Sequence, residues 1–418
     1  MSERVISMLG STTRLCFVVL FVCIHAHGAT VAAASCSIAD VETAYTAASA
    51  GDTVTVPAGR CTWSSKLTIA KALVLSGAGS ELTIIRNNDL VKLIDISVTS
   101  DVAVRITGFT FDTIVVSGGD KSSVFITGSI VGAFNLTQIR IDGNRFYNGK
   151  RAIFSRGWVY GVINGNTFWN CDIAVHFNGD DNYTWARAIT AGSANALFVE
   201  DNVFILDNAN ASDPDEQIYQ QNGGRSVVRY NTFDGTLYTS GNSLFYDTHG
   251  NQDYYDGVSD FRGQPIVEVY GNIMKLHNSY QFFGLRGGSM LIYDNVLTQT
   301  TGSATRFKVT EEESWQSAFF TPLDTTWSAE DQINNSFFWG NTYNGAAITT
   351  VTLGNALDAP FIVSGQDYFM ARPAATGGSE TWNGRSGGAI TYTSTGAQYF
   401  SLSAPTNAES LCGSINRR

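Results

Sequence analysis

The chain has little of what marks a strongly charged or membrane-spanning protein. Charged residues make up 15% of its 418 residues, and only 7 prolines occur. The formal net charge of −11 argues against a nucleic-acid surface, which needs clustered Lys and Arg. One apolar run lies near the N-terminus, and no second segment is long enough to cross a membrane. The 41 glycines, with so little proline, suit strands joined by tight turns.

The N-terminus has the features of an export signal. Arg4 and Arg14 precede an apolar run over residues 15–26, and three alanines follow at 32–34. A charged start, a short apolar stretch and small residues, in this order, are typical of a cleaved secretory signal. The pattern predicts a secreted protein, either periplasmic or extracellular.

The predicted cleavage point lies near Ala34, so that residues 1–34 form the signal peptide. Small residues begin earlier in the chain, and a cut just after Gly28 or Ala29 is the alternative. Lipidation of Cys36 is a weaker interpretation, because this cysteine lies well beyond the apolar run.

Six cysteines occur, and two of them leave with the signal. None has the Cys-x-x-Cys spacing of a metal site. In an oxidising compartment Cys36 and Cys61 are expected to form a disulfide that joins the N-terminal segment to the first strands. Cys171 and Cys412 remain, and their pairing is the less supported prediction.

A short motif returns down the middle of the chain. Each copy has an apolar residue, two variable residues and an asparagine, and it reads as a strand that ends in a turn. The asparagines are Asn144, Asn166, Asn202, Asn231, Asn272, Asn295 and Asn341. They lie 22, 36, 29, 41, 23 and 46 residues apart. The repeat predicts a solenoid, in which equivalent residues of successive coils stack in columns.

The segments around the repeat complete the predicted domain organisation. Residues 35–51 contain one amphipathic helix, at 40–50, which would cap the open end of the solenoid. The solenoid itself is predicted over residues 52–345. Residues 346–418, where the asparagine motif stops, are expected to form irregular final coils and a C-terminal cap. A small separate β module is the alternative for this last segment.

The first strands carry the motif Gly-Asp-Thr-Val-Thr-Val-Pro-Ala-Gly at 51–59 and the turn Gly-Ala-Gly at 77–79. With the helix before them, these motifs resemble the opening of right-handed parallel β-helix proteins of the pectin-lyase-like superfamily. The resemblance runs over about residues 37–345. It implies an all-β fold, a single-stranded right-handed parallel β-helix with an N-terminal capping helix. It does not fix an activity, because the superfamily includes lyases, hydrolases, epimerases, esterases and adhesins.

A first outward row follows from strand alternation, which turns the residue after each inward apolar side chain outward. The row contains Asp142, Asn164, Glu200, Arg229, Tyr270, Tyr293 and Trp339. The aromatic side chains at its C-terminal end favour stacking on sugars. The predicted substrate-binding residues of this row are Glu200, Arg229, Tyr270 and Tyr293. A solvated face without a binding role is the alternative.

A second row precedes the asparagine strands, where five segments end in a residue followed by glycine. Its inward residues are expected to be Ile153, Val175, Tyr219, Tyr246 and Phe283. Its outward columns are expected to be Phe154, His176, Gln220, Asp247 and Gly284, and beside them Arg156, Asn178, Asn222, His249 and Arg286. Because strands of successive coils lie about 4.8 Å apart, these columns would form a continuous polar groove. An internal hydrogen-bond ladder is the alternative for Asn178 and Asn222, and an ordinary surface position for His176.

A polar groove on a secreted β-helix suits an acidic polysaccharide, and the residue types suit β-elimination of a uronate polymer. A base removes the C5 proton while positive charge neutralises the C6 carboxylate. His249 is predicted as the base, Asp247 as the group that orients it, and Arg286 as the clamp on the carboxylate. The predicted binding residues of this groove are Arg156, His176, Asn178, Gln220 and Asn222. We expect a monomer, and Ca²⁺ is the one candidate cofactor, without identified ligands.

Other activities of the superfamily match less well. Mannuronan epimerases carry an Asp-Pro-His motif after a tyrosine, whereas this chain has Asp247-Thr-His249 with Leu244 at the tyrosine position. Polygalacturonases carry Asn-Thr-Asp, Asp-Asp, Gly-His-Gly and Arg-x-Lys motifs, of which this chain has Asp180-Asp181 and a His-Gly pair. No lysine falls in the predicted groove, so lysine-based elimination is unsupported. A hydrolase and a non-catalytic polysaccharide binder or adhesin are the alternatives.

Overall fold

Parallel pairing of strands from coil to coil gives the protein a right-handed parallel β-helix, which confirms the predicted fold class. Each coil contributes one strand to each of three sheets, named sheets 1, 2 and 3 in the order in which the chain passes through them. The structure is a computed structural model that describes residues 28–113, 121–128, 134–179, 192, 195–207, 216–239, 244–249, 264, 266–277, 281–311, 333, 336–360, 362–372, 378–379 and 391–392.

The strand order of each sheet follows the order of the coils. Sheet 1 consists of Thr30–Ala32, Thr53–Val56, Leu73–Gly77, Val104–Thr107, Leu136–Asp142, Val159–Asn164, Leu197–Glu200, Ser226–Arg229, Val267–Tyr270, Met290–Tyr293, Ser336–Trp339 and Tyr368–Phe369. Sheet 2 consists of Gly59–Trp63, Thr83–Asn87, Thr110–Thr113, Arg145–Tyr147, Thr167–Trp169, Val203–Asp207, Thr232–Leu237, Ile273–Leu276, Val296–Gln299, Thr342–Tyr343 and Ala346–Ala347. Sheet 3 consists of Leu67–Ile69, Lys92–Ser97, Ser122–Thr127, Arg151–Arg156, Ile173–Asn178, Glu216–Gln221, Leu244–Thr248, Gln281–Arg286, Thr305–Thr310 and Thr352–Leu353.

Strands continue beyond residue 345, in the segment where irregular final coils were predicted. Thr352–Leu353 continues sheet 3 and Tyr368–Phe369 continues sheet 1. A 3-10 helix, Ala356–Asp358, lies between these two strands. Further along, Gly378–Ser379 pairs antiparallel with Thr391–Tyr392, outside the three sheets.

The repeated asparagines form a hydrogen-bonded ladder at the turn between sheets 1 and 2. The buried Asn231 donates from Nδ2 to Oδ1 of Asn272 at 3.0 Å and to the carbonyl of Val199, in the preceding coil, at 2.9 Å. Its backbone N–H also donates to Asn272 Oδ1, at 2.9 Å. The same contacts join all seven asparagines of the motif in order. Asparagine recurs because one amide side chain supplies both the donor and the acceptor that each buried turn requires.

Apolar side chains stack in rows inside the solenoid. Val199 pairs with Val228 and Val228 with Val269, all three buried, as the inward row predicted. On sheet 2 the rings of Phe146 and Phe168 stack at a centroid distance of 5.0 Å with planes 8° apart. Continuous burial of this kind, at roughly 25 cal/mol per Å² of apolar surface, is what holds a solenoid together coil by coil.

One α-helix, Ile38–Ala47, caps the N-terminal end, two residues earlier at its start than predicted. The cause is Ser37, whose side chain accepts a hydrogen bond from the Asp40 backbone N–H and so begins the helix. Val41 and Ala44 face the core, as the amphipathic pattern predicted. No helix of the described residues is long and apolar enough to cross a membrane.

Cys36 and Cys61 form the predicted disulfide, with their Cα atoms 5.8 Å apart and a sequence separation of 25. The bond joins the segment before the helix to sheet 2, and closing such a loop stabilises the fold by about 3 kcal/mol on the chain-entropy model. Cys171 is a free thiol whose pKa burial raises to about 12. That does not support its predicted pairing with Cys412, which lies outside the described residues.

The first strand of sheet 1, Thr30–Ala32, lies inside the segment predicted as signal peptide. It pairs in register with Thr53–Val56. Just before it, the Ala29 backbone N–H donates to the Asp52 carboxylate at 2.7 Å, and the Ala29 carbonyl accepts from the Thr53 N–H at 2.8 Å. The earlier of the two predicted cleavage points would keep this strand in the mature protein.

Candidate active site

The outer face of sheet 3 carries two columns of side chains, and in one coil their register differs from the prediction by one residue. Ile218, not Tyr219, pairs with Tyr246 and points into the core. Tyr219 lies instead on the outer face, in register with His176 on one side and Asp247 on the other. The predicted inward position of Tyr219 is therefore wrong.

The difference comes from the turn after the strand Glu216–Gln221. Asn178 pairs with Gln221, and Asn222 takes a left-handed turn conformation with φ of 51°. Asn222 separates Gln221 from Gly223, whereas Asn178 directly precedes Gly179. Alignment on the glycine therefore shifts this strand by one residue, and such a shift moves every side chain to the opposite face. Gln220 is consequently fully buried, and Asn222 lies buried in the turn rather than in a column. Neither residue lines the groove as predicted.

Strand pairing defines two columns on the outer face of sheet 3. The first contains Phe125, Phe154, His176, Tyr219, Asp247, Gly284 and Lys308. The second contains Thr127, Arg156, Asn178 and Gln221, and further along Arg286 and Thr310. His249 directly follows the strand Leu244–Thr248 and lies between the two parts of the second column. Arg156 is exposed and Asn178 half-buried, so both predicted binding residues remain accessible.

Asp247, His249 and Arg286 meet as predicted at the centre of this face. His249 Nε2 lies 2.6 Å from Asp247 Oδ2, and Arg286 Nη1 lies 3.0 Å from His249 Nδ1. Arg286 Nη2 also reaches Asp247 Oδ2, at 3.4 Å. The carboxylate is buried, whereas the imidazole and the guanidinium are 12% and 11% exposed. The three side chains form a closed cluster with its accessible edge on the outside of the solenoid.

The hydrogen bonds fix the tautomer of His249. A guanidinium only donates, so His249 Nδ1 must accept from Arg286 and carries no proton. The ring proton therefore lies on Nε2 and points at Asp247 Oδ2. A neutral imidazole oriented by a carboxylate is the usual form of a general base.

The backbone around the centre is held by neighbouring coils. The His249 N–H donates to the Gln220 carbonyl at 2.8 Å, and the Gln264 side chain donates to the His249 carbonyl. The Arg286 N–H donates to Thr248 Oγ1 at 2.8 Å. Gln220 thus supports the site from within, although it does not face the groove.

Gly284 makes room for the carboxylate of Asp247, its partner in the preceding coil. A Cβ at this position would lie 2.1 Å from Asp247 Oδ1, well inside contact distance. The absent side chain lets the carboxylate lean along the column toward the next coil. No other residue would fit there without moving Asp247.

The charges of the centre keep Asp247 ionised. Burial, the largest single influence, would raise the pKa of its carboxyl group. The cationic Arg286 and the His249 side chain act in the opposite direction, and the pKa lies below the usual carboxyl value. Burial and then repulsion by Arg286 lower the pKa of Lys308, which also lies near Asp247. The site thus holds a stable carboxylate beside an ammonium that loses its proton more readily than usual.

His176 lies in the first column but is buried, not at the surface as one interpretation had it. Its ring packs between those of Phe154 and Tyr219, with centroids 4.5 Å from each. Burial first, and then the charge of Arg151, lower its pKa well below the usual value. A neutral, enclosed imidazole supports the wall of the groove and does not contact a substrate directly.

The predicted residues of the first row lie on sheet 1, away from this centre, and they are buried. Arg229 Nε donates to Glu200 Oε2 at 2.7 Å, and its Nη1 to the Tyr270 hydroxyl at 3.0 Å. Tyr293 stacks on Tyr270 at a centroid distance of 4.4 Å and on Trp339 at 4.2 Å, with planes 12° and 3° apart. Sugars stack on the faces of aromatic rings, and both faces of Tyr293 are taken. The structure makes this row a packed outer layer rather than a groove.

A divalent cation has one potential donor set at the centre. Glu216, Asp247 and His249 each offer one ligand atom, and these atoms lie within 4.8 Å of one another. The Asp247 Oδ1 atom is buried without a hydrogen-bond partner among the described residues. The guanidinium of Arg286 is bonded to both Asp247 and His249, and the ammonium of Lys308 lies near, so the positive charge is already supplied. The donor set does not fit Ca²⁺ in this arrangement.

Three residues of the site were missed by the sequence prediction. Tyr219 was assigned to the core by the shifted register, and Glu216 lies at the start of the same strand. Lys308 was missed because its strand, Thr305–Thr310, ends in Thr310-Glu311 without the glycine on which the column was aligned. The statement that no lysine reaches the groove is therefore wrong. Asp180 and Asp181 lie outside the described residues.

Comparison with known proteins finds only distant structural similarity. No protein-family model matches the sequence, and no curated protein matches it. An alginate lyase from Paenibacillus sp. str. FPU-7 is 13% identical, with a TM-score of 0.38 over 78% of this chain and 97% of that chain. The catalytic unit of a thermostable GH87 α-1,3-glucanase from Streptomyces thermodiastaticus strain HF3-3 is 12% identical, with a TM-score of 0.34 over 79% of this chain and 67% of that chain. The assignment of the fold rests on the strand pairing of this chain itself.

Proposed function

We propose that the protein is a secreted polysaccharide lyase that cleaves a uronate-containing polysaccharide by β-elimination. The proposal is carried by one observation: a single imidazole, His249, contacts a carboxylate through Nε2 and a guanidinium through Nδ1. The cluster offers a base, a group that orients the base, and a cation for the acid group of a substrate. These are the three functions that β-elimination from a uronate requires.

The reaction assigns one role to each side chain. His249 Nδ1 takes the proton from C5, and the electron pair left behind forms the C4–C5 double bond as the C4–O bond breaks. Asp247 stabilises the imidazolium that forms. Arg286 holds the C6 carboxylate by two parallel hydrogen bonds, which makes the C5 proton more acidic. Lys308, with its lowered pKa, gives a proton to the departing oxygen.

Hydrolysis is less well supported by the same residues. A glycosidase needs one carboxyl group that stays protonated, whereas the pKa of Asp247 is lowered.

The substrate class follows from the charge of the groove. The protein is acidic overall, so an acidic polymer must be attracted locally, and Arg286, Lys308 and the exposed Arg156 face the same side of sheet 3. Export to an oxidising compartment agrees with the Cys36–Cys61 disulfide. We propose that the protein acts there as a monomer on acidic polysaccharide.

The test is turnover on a panel of alginate, pectate, glucuronan and glycosaminoglycans, followed by the ultraviolet absorbance of the unsaturated uronate. His249→Ala should lower turnover on the cleaved polymer by a factor of about 10² or more while polymer binding persists. His277→Ala is the matched control, because His277 follows a strand of sheet 2 and should leave the rate unchanged.

Two outcomes would contradict the proposal. Cleavage that yields new reducing ends without the absorbing product would indicate a hydrolase. Tight binding of one polymer without cleavage, unchanged in His249→Ala, would indicate a binding protein.

A further inference from the structure

The base of the proposed reaction is blocked in the structure. His249 Nε2 carries the ring proton and donates it to Asp247, while the lone pair of Nδ1 accepts from Arg286. An imidazole in this state has no free lone pair with which to take a proton from a substrate. The same guanidinium that should bind the substrate carboxylate therefore occupies the catalytic nitrogen.

The guanidinium of Arg286 can exchange its bond to His249 for a bond to a substrate carboxylate without movement of the backbone. Its backbone is fixed by the bond from its N–H to Thr248 Oγ1, so only its side chain needs to move. The bond of its Nη2 to Asp247 is long, at 3.4 Å, and its bond to His249 has a neutral acceptor. A substrate carboxylate can accept two parallel bonds from the guanidinium, in place of one bond to a neutral ring nitrogen and one long bond to Asp247.

Lys308, in a neighbouring coil, still supplies positive charge to Asp247 when the guanidinium of Arg286 moves to the substrate. Lys308 lies one coil beyond Gly284 in the same column, and its charge acts on Asp247. Because Gly284 has no side chain, nothing on that residue separates Asp247 from Lys308. Asp247 therefore keeps a cationic neighbour after Arg286 has turned to the substrate.

We propose that Arg286 makes catalysis depend on the substrate carboxylate: it covers His249 Nδ1 in the free protein and uncovers it only when a carboxylate takes its guanidinium. The inference rests on the proposed function and extends it to specificity. A polymer whose uronates are methyl-esterified binds in the groove without freeing the base. The protein thereby rejects neutral and esterified polymers at the chemical step and not only in binding.

The first experiment compares the free-acid and methyl-esterified forms of the cleaved polymer. Wild type should cleave only the free acid. Arg286→Met removes both the clamp and the cover, so its rate on the free acid should fall, while its rate on the ester should rise about tenfold or more above wild type. Arg145→Met is the control, since Arg145 lies on sheet 2 beside Glu81 and Trp169 and should keep the wild-type ratio.

The second experiment needs no turnover. Nitrogen NMR of isotope-labelled histidine reports whether Nδ1 of His249, assigned with His249→Gln, accepts a hydrogen bond. Galacturonate or glucuronate should shift this signal toward a free ring nitrogen, and glucose should not. In Arg286→Met the signal should start at the free position and stay there.

The outcomes separate the two proposals. Equal cleavage of acid and ester by wild type, no gain of Arg286→Met on the ester, or a persistent bond at Nδ1 with uronate bound would each overturn the role of Arg286. If no polymer is cleaved, the lyase proposal fails, and the NMR signal alone decides whether a carboxylate displaces Arg286 from His249.

Discussion

Two imidazoles on the outer face of sheet 3, His176 and His249, have opposite surroundings. His249 has polar partners on both ring nitrogens, whereas His176 is enclosed by aromatic rings and stays neutral. In the unfolded chain His176 would titrate near the ordinary histidine value. Because the unfolded state then binds more protons than the native state, the native fold loses stability as the pH falls through that value.

His176→Phe should remove this pH dependence. The phenyl ring can take the place of the imidazole between Phe154 and Tyr219 and binds no proton. Below about pH 6.5 the free energy of unfolding of wild type should decrease relative to the variant, with a slope of up to about 1.4 kcal/mol per pH unit. Urea unfolding between pH 8 and pH 5 measures both proteins. His277→Phe, outside sheet 3, should keep the wild-type slope, and parallel curves for wild type and His176→Phe would show that His176 is not held neutral.

At the scale of the element, the turn between sheets 1 and 2 is the most regular feature of the solenoid. Each asparagine bonds to the coil before it and the coil after it, so its contribution is shared by three coils. Amide chains of this kind polarise one another, which strengthens each bond in a low-dielectric interior. Removing one amide should leave buried groups of the preceding coil without partners and take one of two donors from the asparagine oxygen of the next coil.

Asn231→Ala should lower the free energy of unfolding by about 1–3 kcal/mol for each buried polar group that loses its partner. The groups that lose this partner are the Val199 carbonyl and the Asn202 N–H, whereas Asn272 Oδ1 keeps its bond from the backbone N–H of residue 231. Chemical denaturation measures the change. Asn164→Ala is the matched control: Asn164 precedes the Asn166 turn but is half-buried outside the ladder, and its replacement should change stability little. Equal effects of the two substitutions would contradict the ladder.

These turns show how much the sequence could predict. The asparagine motif allowed the strands of sheet 1, their outward row and the core valines to be predicted, because the motif contains the residue that forms the turn. Sheet 3 has no such marker, and alignment on glycine failed where a turn holds the additional Asn222. The burial of Arg229 and Tyr293 was also beyond prediction, since strand alternation states which side a residue faces and not what covers that side. The three central site residues were found because the strands Leu244–Thr248 and Gln281–Arg286 pair in the register that alignment on glycine predicted.

At the scale of the whole molecule, the N-terminal end is closed by more than the helix. The strand Thr30–Ala32 covers the edge of Thr53–Val56, and the disulfide Cys36–Cys61 fixes the segment that follows. An uncovered edge strand invites pairing with other chains, so this strand protects the open end of the solenoid.

The mature protein should begin near residue 29 rather than near residue 35. N-terminal sequencing or intact-mass measurement of the secreted protein checks this directly. A variant that starts at Ser35 should lose the strand Thr30–Ala32 and aggregate more readily at equal concentration, by light scattering, than one that starts at Ala29. A secreted form that begins at Ser35 and remains monomeric would show that the strand is dispensable.

The asparagine ladder has a consequence for how such a chain can change over generations. Its hydrogen bonds are alike although 22 to 46 residues separate consecutive asparagines, so the loops within a coil are free to lengthen or shorten. A gene segment that runs from one asparagine codon to the next encodes one complete coil. Each end of that coil carries an asparagine that can bond to the ladder. Duplication or loss of such a segment would lengthen or shorten the protein by one coil and preserve the ladder hydrogen bonds at both ends. The groove could thereby be fitted to longer or shorter chains without a new fold.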